Sequence, residues 1–141
     1  MTEFFDTSVL VAAGRVTHVH HERSFARLSA AKATHSACAI HTFAEVYATM
    51  TAIPHRPALP PEQVWRFIES LQDRLTPIVL NSEEYLRTIE KTADRSLTSG
   101  KIYDALLLAC AAKSEAQIIY TWNLKHFHSI APDLASLIQT P

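Results

Sequence analysis

Short apolar runs alternate with stretches of helical periodicity along this chain, and that alternation is its strongest constraint. Ser36 to Ile40, Ile78 to Leu80 and Ile118 to Thr121 are too short for helices, and each is mostly apolar. Such runs suit strands buried on both faces, because helices cover both sides of a parallel sheet. Glu3 to Phe5 reads as a first strand stopped by Asp6-Thr7-Ser8, and Leu134 to Ile138 as a last one at the edge. Between them, His21, Phe25, Leu28 and Lys32 recur at helical spacing within His18 to Ala33. Val64, Trp65, Ile68, Leu71 and Leu75 trace one apolar helical face, and Tyr103 to Lys113 is apolar nearly all round. The predicted class is α/β, with a mostly parallel central sheet and helices on both faces. Ligands of such sheets bind beyond the strands' carboxyl ends.

Local signals sharpen the boundaries. Asp6-Thr7-Ser8 suits the N-terminus of a helix through Val9 to Ala13, which Gly14 is placed to end. Thr42 and Glu45 have the spacing of a capping box, opening a helix to about Thr51. Pro54, Pro57, Pro60 and Pro61 mark an irregular loop whose last proline fits a helix's first position. Ser82-Glu83-Glu84 caps a polar helix ending near Thr98-Ser99-Gly100, and Leu124 to Phe127 form a short helical turn after the last clear strand. No repeat, linker or charge block interrupts residues 1–141, so one domain is expected.

Several function classes are disfavoured. Neither of the two glycines, Gly14 and Gly100, starts a P-loop or dinucleotide-binding fingerprint. Cys38 and Cys110 form no C-x-x-C pair for zinc, and two cysteines without an export signal suit a reducing cytoplasm. A signal peptide is not expected because Asp6, Thr7 and Ser8 break the apolar start. The longest apolar run, Ala105 to Ala112, is too short for a bilayer. A net charge of −1 argues against gripping nucleic acid through a broad basic surface, but not against approaching phosphate through a cation.

The acids supply the positive signal. Asp6 follows the first strand, Glu45 lies in the first turn of the helix after the second, and Asp104 begins the apolar helix. Asn123 follows the last clear strand. A parallel fold gathers these positions at one end of its sheet. Carboxylates converging to ~4 Å would repel by roughly 4 kcal/mol per pair at an effective dielectric near 20. A divalent cation would offset that cost, and oxygen-only ligands favour Mg²⁺ or Mn²⁺ over zinc. Each residue also has a structural explanation that stays open: a helix cap for Asp6, half of a capping box for Glu45, the helix dipole for Asp104 and a turn for Asn123.

Four segments carry a family resemblance. F-F-D-T-S-V-L at Phe4 to Leu10 is similar to the opening motif of PIN-domain nucleases, and Phe43 to Val46 to their second acidic motif. Ile102 to Ala111 resembles the third, where an Asp begins a buried helix, and Ile118 to Phe127 the last strand and its turn. The compact form looks most like the VapC toxins of bacterial VapBC toxin–antitoxin pairs. The resemblance implies a three-layer PIN fold and metal-dependent hydrolysis of RNA to 5′-phosphate and 3′-hydroxyl ends. Asp6, Asp104 and Glu45 would bind Mg²⁺ or Mn²⁺, and Asn123 would complete the catalytic set. It also implies a homodimer and a small antitoxin partner. Asn123 stands where the family often has a fourth acid, which puts a second metal position in doubt. A scaffold that binds RNA or a partner without cutting is the alternative.

Other residues are weighed beside these. His18, His20 and His21 cluster, yet adjacent side chains on a helix point apart, which favours surface or packing roles over nitrogen ligation. Thr7, Ser8 and Thr121 are placed to hydrogen-bond the acids or waters, although caps and turns explain them equally. Lys101, Arg56 and Lys125 read as surface charges within reach of phosphate. Trp65 fits a core or dimer face along with Phe67, Ile68 and Leu71, whereas Trp122 is near enough to the acids to stack on a base. Two other strand-end Asp chemistries fail. A haloacid-dehalogenase-like phosphatase needs a second Asp where Ser8 stands, and a receiver domain needs one after a middle strand, where Leu80 is followed by Asn81.

Overall fold

A computed structural model describes residues 1–52 and 58–141. The readings at Pro54, Arg56 and Pro57 lie outside the described residues. Five strands form one sheet: β1 (Glu3–Phe5), β2 (Ser36–Ala39), β3 (Thr76–Ile78), β4 (Ile118–Tyr120) and β5 (Ile138–Gln139). Their order is β3-β2-β1-β4-β5, and every neighbouring pair is parallel. The helices are α1 (Thr7–Gly14), α2 (His21–Ala30), α3 (Ile40–Thr51), α4 (Pro61–Gln72), α5 (Ser82–Asp94), α6 (Lys101–Lys113) and α7 (Leu124–Ile130).

Alternation along strands of two to four residues builds the layers. Phe5, Cys38 and Tyr120 point into one core with Leu10, Leu28, Val46, Met50 and Ile68 from α1 to α4. Their neighbours Phe4, Ala37, Ala39 and Ile119 point the other way, into a second core with Leu107 and Leu108 of α6 and Phe127 and Ile130 of α7. Burial on both faces is why the strands read as continuous apolar runs instead of alternating ones. From β1 the chain moves outward to β2 and β3, then returns to lay β4 on the other side of β1. The order reverses between β1 and β4, and a crevice opens there at the strands' carboxyl ends.

Several boundaries move for physical reasons. Strand β2 runs directly into α3, whose cap residue is Ala39 with no side-chain bond. Thr42 is therefore inside the helix and fully buried, and the expected Thr42–Glu45 capping box does not form. A capping box does open α5, but its cap is Asn81, bonded reciprocally with Glu84, one residue ahead of the expected Ser82. That helix stops at Asp94, and Ser96 and Ser99 take the left-handed backbone (φ 54° and 57°) expected of a glycine. Helix α2 begins only at His21 and ends at Ala30, so His18 and Lys32 fall outside it.

Pro61 does occupy the first position of α4. Gly14 is the last residue of α1, as expected, and its missing side chain also permits close packing. A Cβ there would lie 2.7 Å from both the Met50 methyl and the Phe67 ring. Trp65 is half exposed while Val64, Ile68 and Leu71 are buried, so it stands apart from the core face it was grouped with. The third strand is Thr76–Ile78 instead of Ile78 to Leu80, and the last is Ile138–Gln139 behind a 3₁₀ segment, Pro132–Leu137. No described helix is long and apolar enough to cross a membrane.

Candidate active site

Asp6 leaves β1 in extended conformation and caps α1. Its amide donates to the Tyr120 carbonyl, which continues the β1–β4 pairing and sets Asp6 beside Thr121 at the switch point. The carboxylate is almost fully buried, and its Oδ2 accepts from Ser8 Oγ at 2.6 Å and Thr121 Oγ1 at 2.8 Å. Two short relays stand behind these bonds. Trp122 N–H donates to Ser8 Oγ, and Asn123 N–H donates to Thr121 Oγ1, both at 3.0 Å. Consecutive amides after β4 thus orient the hydroxyls that hold Asp6. The cap and site explanations of Asp6 are one geometry, since Ser8 N–H also donates to Oδ2.

Glu45 lies in the second turn of α3 instead of the first, because the helix already starts at Ile40, and is beyond reach of its free amides. Asp104 sits in the first turn of α6, which brings its own dipole to the crevice. Together with Asp6, Asn123, Thr7 and Ser8 they line one cleft of about 500 Å³, completed by Val11, His18, Val19, His20, Thr49 and Trp122. The expected acids therefore share one cleft. Among the described residues, however, no three His, Cys, Asp or Glu side chains are grouped closely enough to hold an ion without adjustment.

Electrostatics registers the shared cleft. Burial raises the Asp6 carboxyl, and the Ser8 and Thr121 hydroxyls pull it back. Burial, then the charges of Asp6 and Asp104, push Glu45 up to about 7, with the Thr7 hydroxyl opposing. Burial and Asp6 likewise raise Asp104, and His126 opposes. Each acid is thus harder to ionise than usual, and Asp6 contributes to the shift of both others. Such an oxygen-only set, carrying uncompensated negative charge, fits a hard divalent cation.

Two histidines next to the acids carried no sequence reading. His126 Nδ1 lies 3.3 Å from Asp104 Oδ2, and His41 Nε2 lies 3.4 Å from Glu45 Oε1. Burial lowers His41, so near neutral pH it is uncharged and gives Glu45 little compensation. The i, i+4 spacing of His41 and Glu45 on one helix was the available signal. His18 and His20, read as surface or packing residues, line the cleft, whereas His21 turns away to the Ala12 carbonyl. Asn123 caps α7 with its backbone only, and its side chain makes no cap bond. Lys125 lines an adjoining hollow with Trp122 and His126, and Lys101 begins α6 one turn before Asp104.

The PIN domain family model matches residues 4–131, nearly the whole chain. The chain belongs to the PIN domain family. The match spans the elements that carry Asp6, Glu45, Asp104 and Asn123. In fold, this PIN domain is similar to the crystal structure of Mycobacterium tuberculosis VapC20, a toxin described as cleaving the sarcin–ricin loop. The two share a TM-score of 0.69 and 17% identity over 91% of this chain and 95% of that one. Comparison with curated proteins gives no match. The parallel three-layer fold expected from the motifs is the one observed.

Proposed function

We propose that this PIN domain is a metal-dependent endoribonuclease, the toxin of a toxin–antitoxin pair. One observation carries the reading: three half-buried or buried carboxylates line the switch-point cleft, and Asp6 raises the pKa of the other two. An uncompensated cluster of that kind is a cost to folding unless a ligand uses it. The fold likeness to an RNA-cleaving toxin supports RNA as the substrate.

Asp6 and Asp104 would hold Mg²⁺ or Mn²⁺, directly or through waters, with Glu45 helping to bind. When bound, the cation acidifies water and neutralises charge on phosphoryl oxygens. The hydroxyls of Ser8 and Thr121 keep the Asp6 carboxylate in one orientation. Glu45, on the same cleft, orients the attacking water. Asn123 offers an uncapped side-chain amide to the phosphate or to a water. Hydrolysis leaves a 5′-phosphate and a 3′-hydroxyl. The chain acts as one domain, in the cytoplasm, as a homodimer opposed by a small antitoxin that covers the acidic cleft. One observation favours a non-cutting scaffold instead, the neutral Asn123.

The test is incubation of purified protein with RNA in Mg²⁺ or Mn²⁺, with chelator as control and end-group analysis of the products. Divalent-dependent cuts with 5′-phosphate ends support the enzyme. RNA that stays intact but bound supports the scaffold.

A further inference from the structure

The cleft has two chemically distinct halves, and the acids explain only one of them. The other is a wall in which the His20 imidazole lies flat on the Trp122 indole, centroids 3.7 Å apart and planes 6° from parallel. His18 tilts against His20 at 5.8 Å, and its Nδ1 accepts from the His20 amide at 3.0 Å, which ties the segment together. Val19, between the two histidines, is 87% exposed. The described residues lining the cleft include no lysine or arginine. With basic side chains such as Arg23 and Lys125 only at its border, a polyanion entering the cleft draws much of its affinity from a cation and from stacking.

We propose that the His20–Trp122 stack is a nucleobase subsite, taking one unpaired base next to the phosphate that lies over the acids. This rests on the nuclease reading for the identity of the ligand, while the stack itself stands on its own geometry. The base stacks against the His20–Trp122 wall from the cleft, beside His18. The platform is anchored from behind. Trp122 Nε1 donates to the fully buried Ser24 Oγ at 2.8 Å, and the Arg23 guanidinium lies 5.2 Å from the indole centroid. The platform is also in register with the acids, because the Ser8 hydroxyl that accepts from Trp122 N–H donates to Asp6. One hydroxyl thus links the backbone that carries the indole to the Asp6 carboxylate. Trp122 does not meet the base with an open face, as its position in sequence suggests. His20 already covers it and extends it into the cleft.

The experiment uses full-length protein carrying Trp65→Phe, which leaves Trp122 as the fluorophore. Single-turnover cleavage in Mn²⁺ and indole fluorescence on binding are measured for a short single-stranded RNA and for the same RNA with one abasic nucleotide beside the cut. Base–aromatic stacking predicts that the abasic RNA is cut roughly 10- to 100-fold more slowly and shifts the fluorescence less. His20→Ala should slow the intact RNA by the same factor and erase the difference between the two RNAs, while His20→Phe restores it. Equal rates and equal fluorescence changes for both RNAs, or an unchanged abasic penalty in His20→Ala, overturn the subsite. If no RNA is cut but the base-dependent fluorescence change persists, the subsite stands and the nuclease reading fails. With neither cutting nor a base-dependent change, both fail.

Discussion

Replacing Glu45 by Gln should stabilise the metal-free protein, and only at neutral and alkaline pH. The folded protein holds the Glu45 proton up to about pH 7, against an ordinary value of 4.5. A carboxyl raised in this way binds its proton more tightly in the folded state. Stability is therefore greatest below pH 4.5, falls as pH rises from 4.5 to 7, and is level above that. A shift of this size corresponds to roughly 3 kcal/mol before screening. The side chain is 43% exposed, so solvent reduces the penalty to about 1 kcal/mol. Gln keeps the shape and has nearly the helix propensity of Glu. Little ion pairing is lost, because His41 is uncharged at high pH. No capping bond is lost either, because Glu45 makes none. Scanning calorimetry in chelator should show Glu45→Gln melting about 3 °C above the parent at pH 8, with the difference vanishing near pH 4.5. A destabilised variant, or an offset independent of pH, would refute the idea that Glu45 sits in an uncompensated acidic cluster.

Three further outcomes follow from neighbouring geometry. Thr121→Val removes a buried hydroxyl that donates to Asp6 and accepts from the Asn123 amide, and should cost about 2 kcal/mol in urea unfolding at pH 8. Asn123→Asp should tighten Mn²⁺ binding in calorimetry, since a carboxylate attracts a cation better than an amide; unchanged affinity would place Asn123 away from the ion. Gly14→Ala pits a helix-propensity gain of about 1 kcal/mol against a Cβ 2.7 Å from Met50 and Phe67. The clash should win by roughly 1 kcal/mol, read as a lower urea midpoint.

The layered fold was legible because strands buried on both faces leave unbroken apolar runs, and because α6 is apolar nearly all round. Asp6, Glu45, Asp104 and Asn123 were legible as a set, since strand ends of a parallel sheet meet at one edge. The Thr42–Glu45 spacing misled. A capping box needs a polar cap residue just outside the helix, but that residue is Ala39 and Thr42 already lies inside α3. Gly14 ends α1 as expected, but its second role, a close approach to Met50 and Phe67, leaves no mark in the sequence. The His20–Trp122 stack was hidden by distance, its partners being about a hundred residues apart along the chain. His126 was missed because its acid, Asp104, is distant in sequence, whereas the i, i+4 spacing of His41 and Glu45 was a signal left unused.

Asp104 offers the most direct measurement of the central claim, since its carboxylate reaches the cleft from the far side of the chain and caps no helix. Single-turnover cleavage of one RNA substrate should be followed across a Mn²⁺ titration for the parent and for Asp104→Asn, with melting curves confirming that both are folded. The expected result is cleavage that saturates with Mn²⁺ in the parent and falls by orders of magnitude in the variant, with Mn²⁺ raising the parent's melting temperature more than the variant's. A folded Asp104→Asn protein that cuts at the parental rate, with the same Mn²⁺ dependence, would contradict the acidic cleft as the catalytic site.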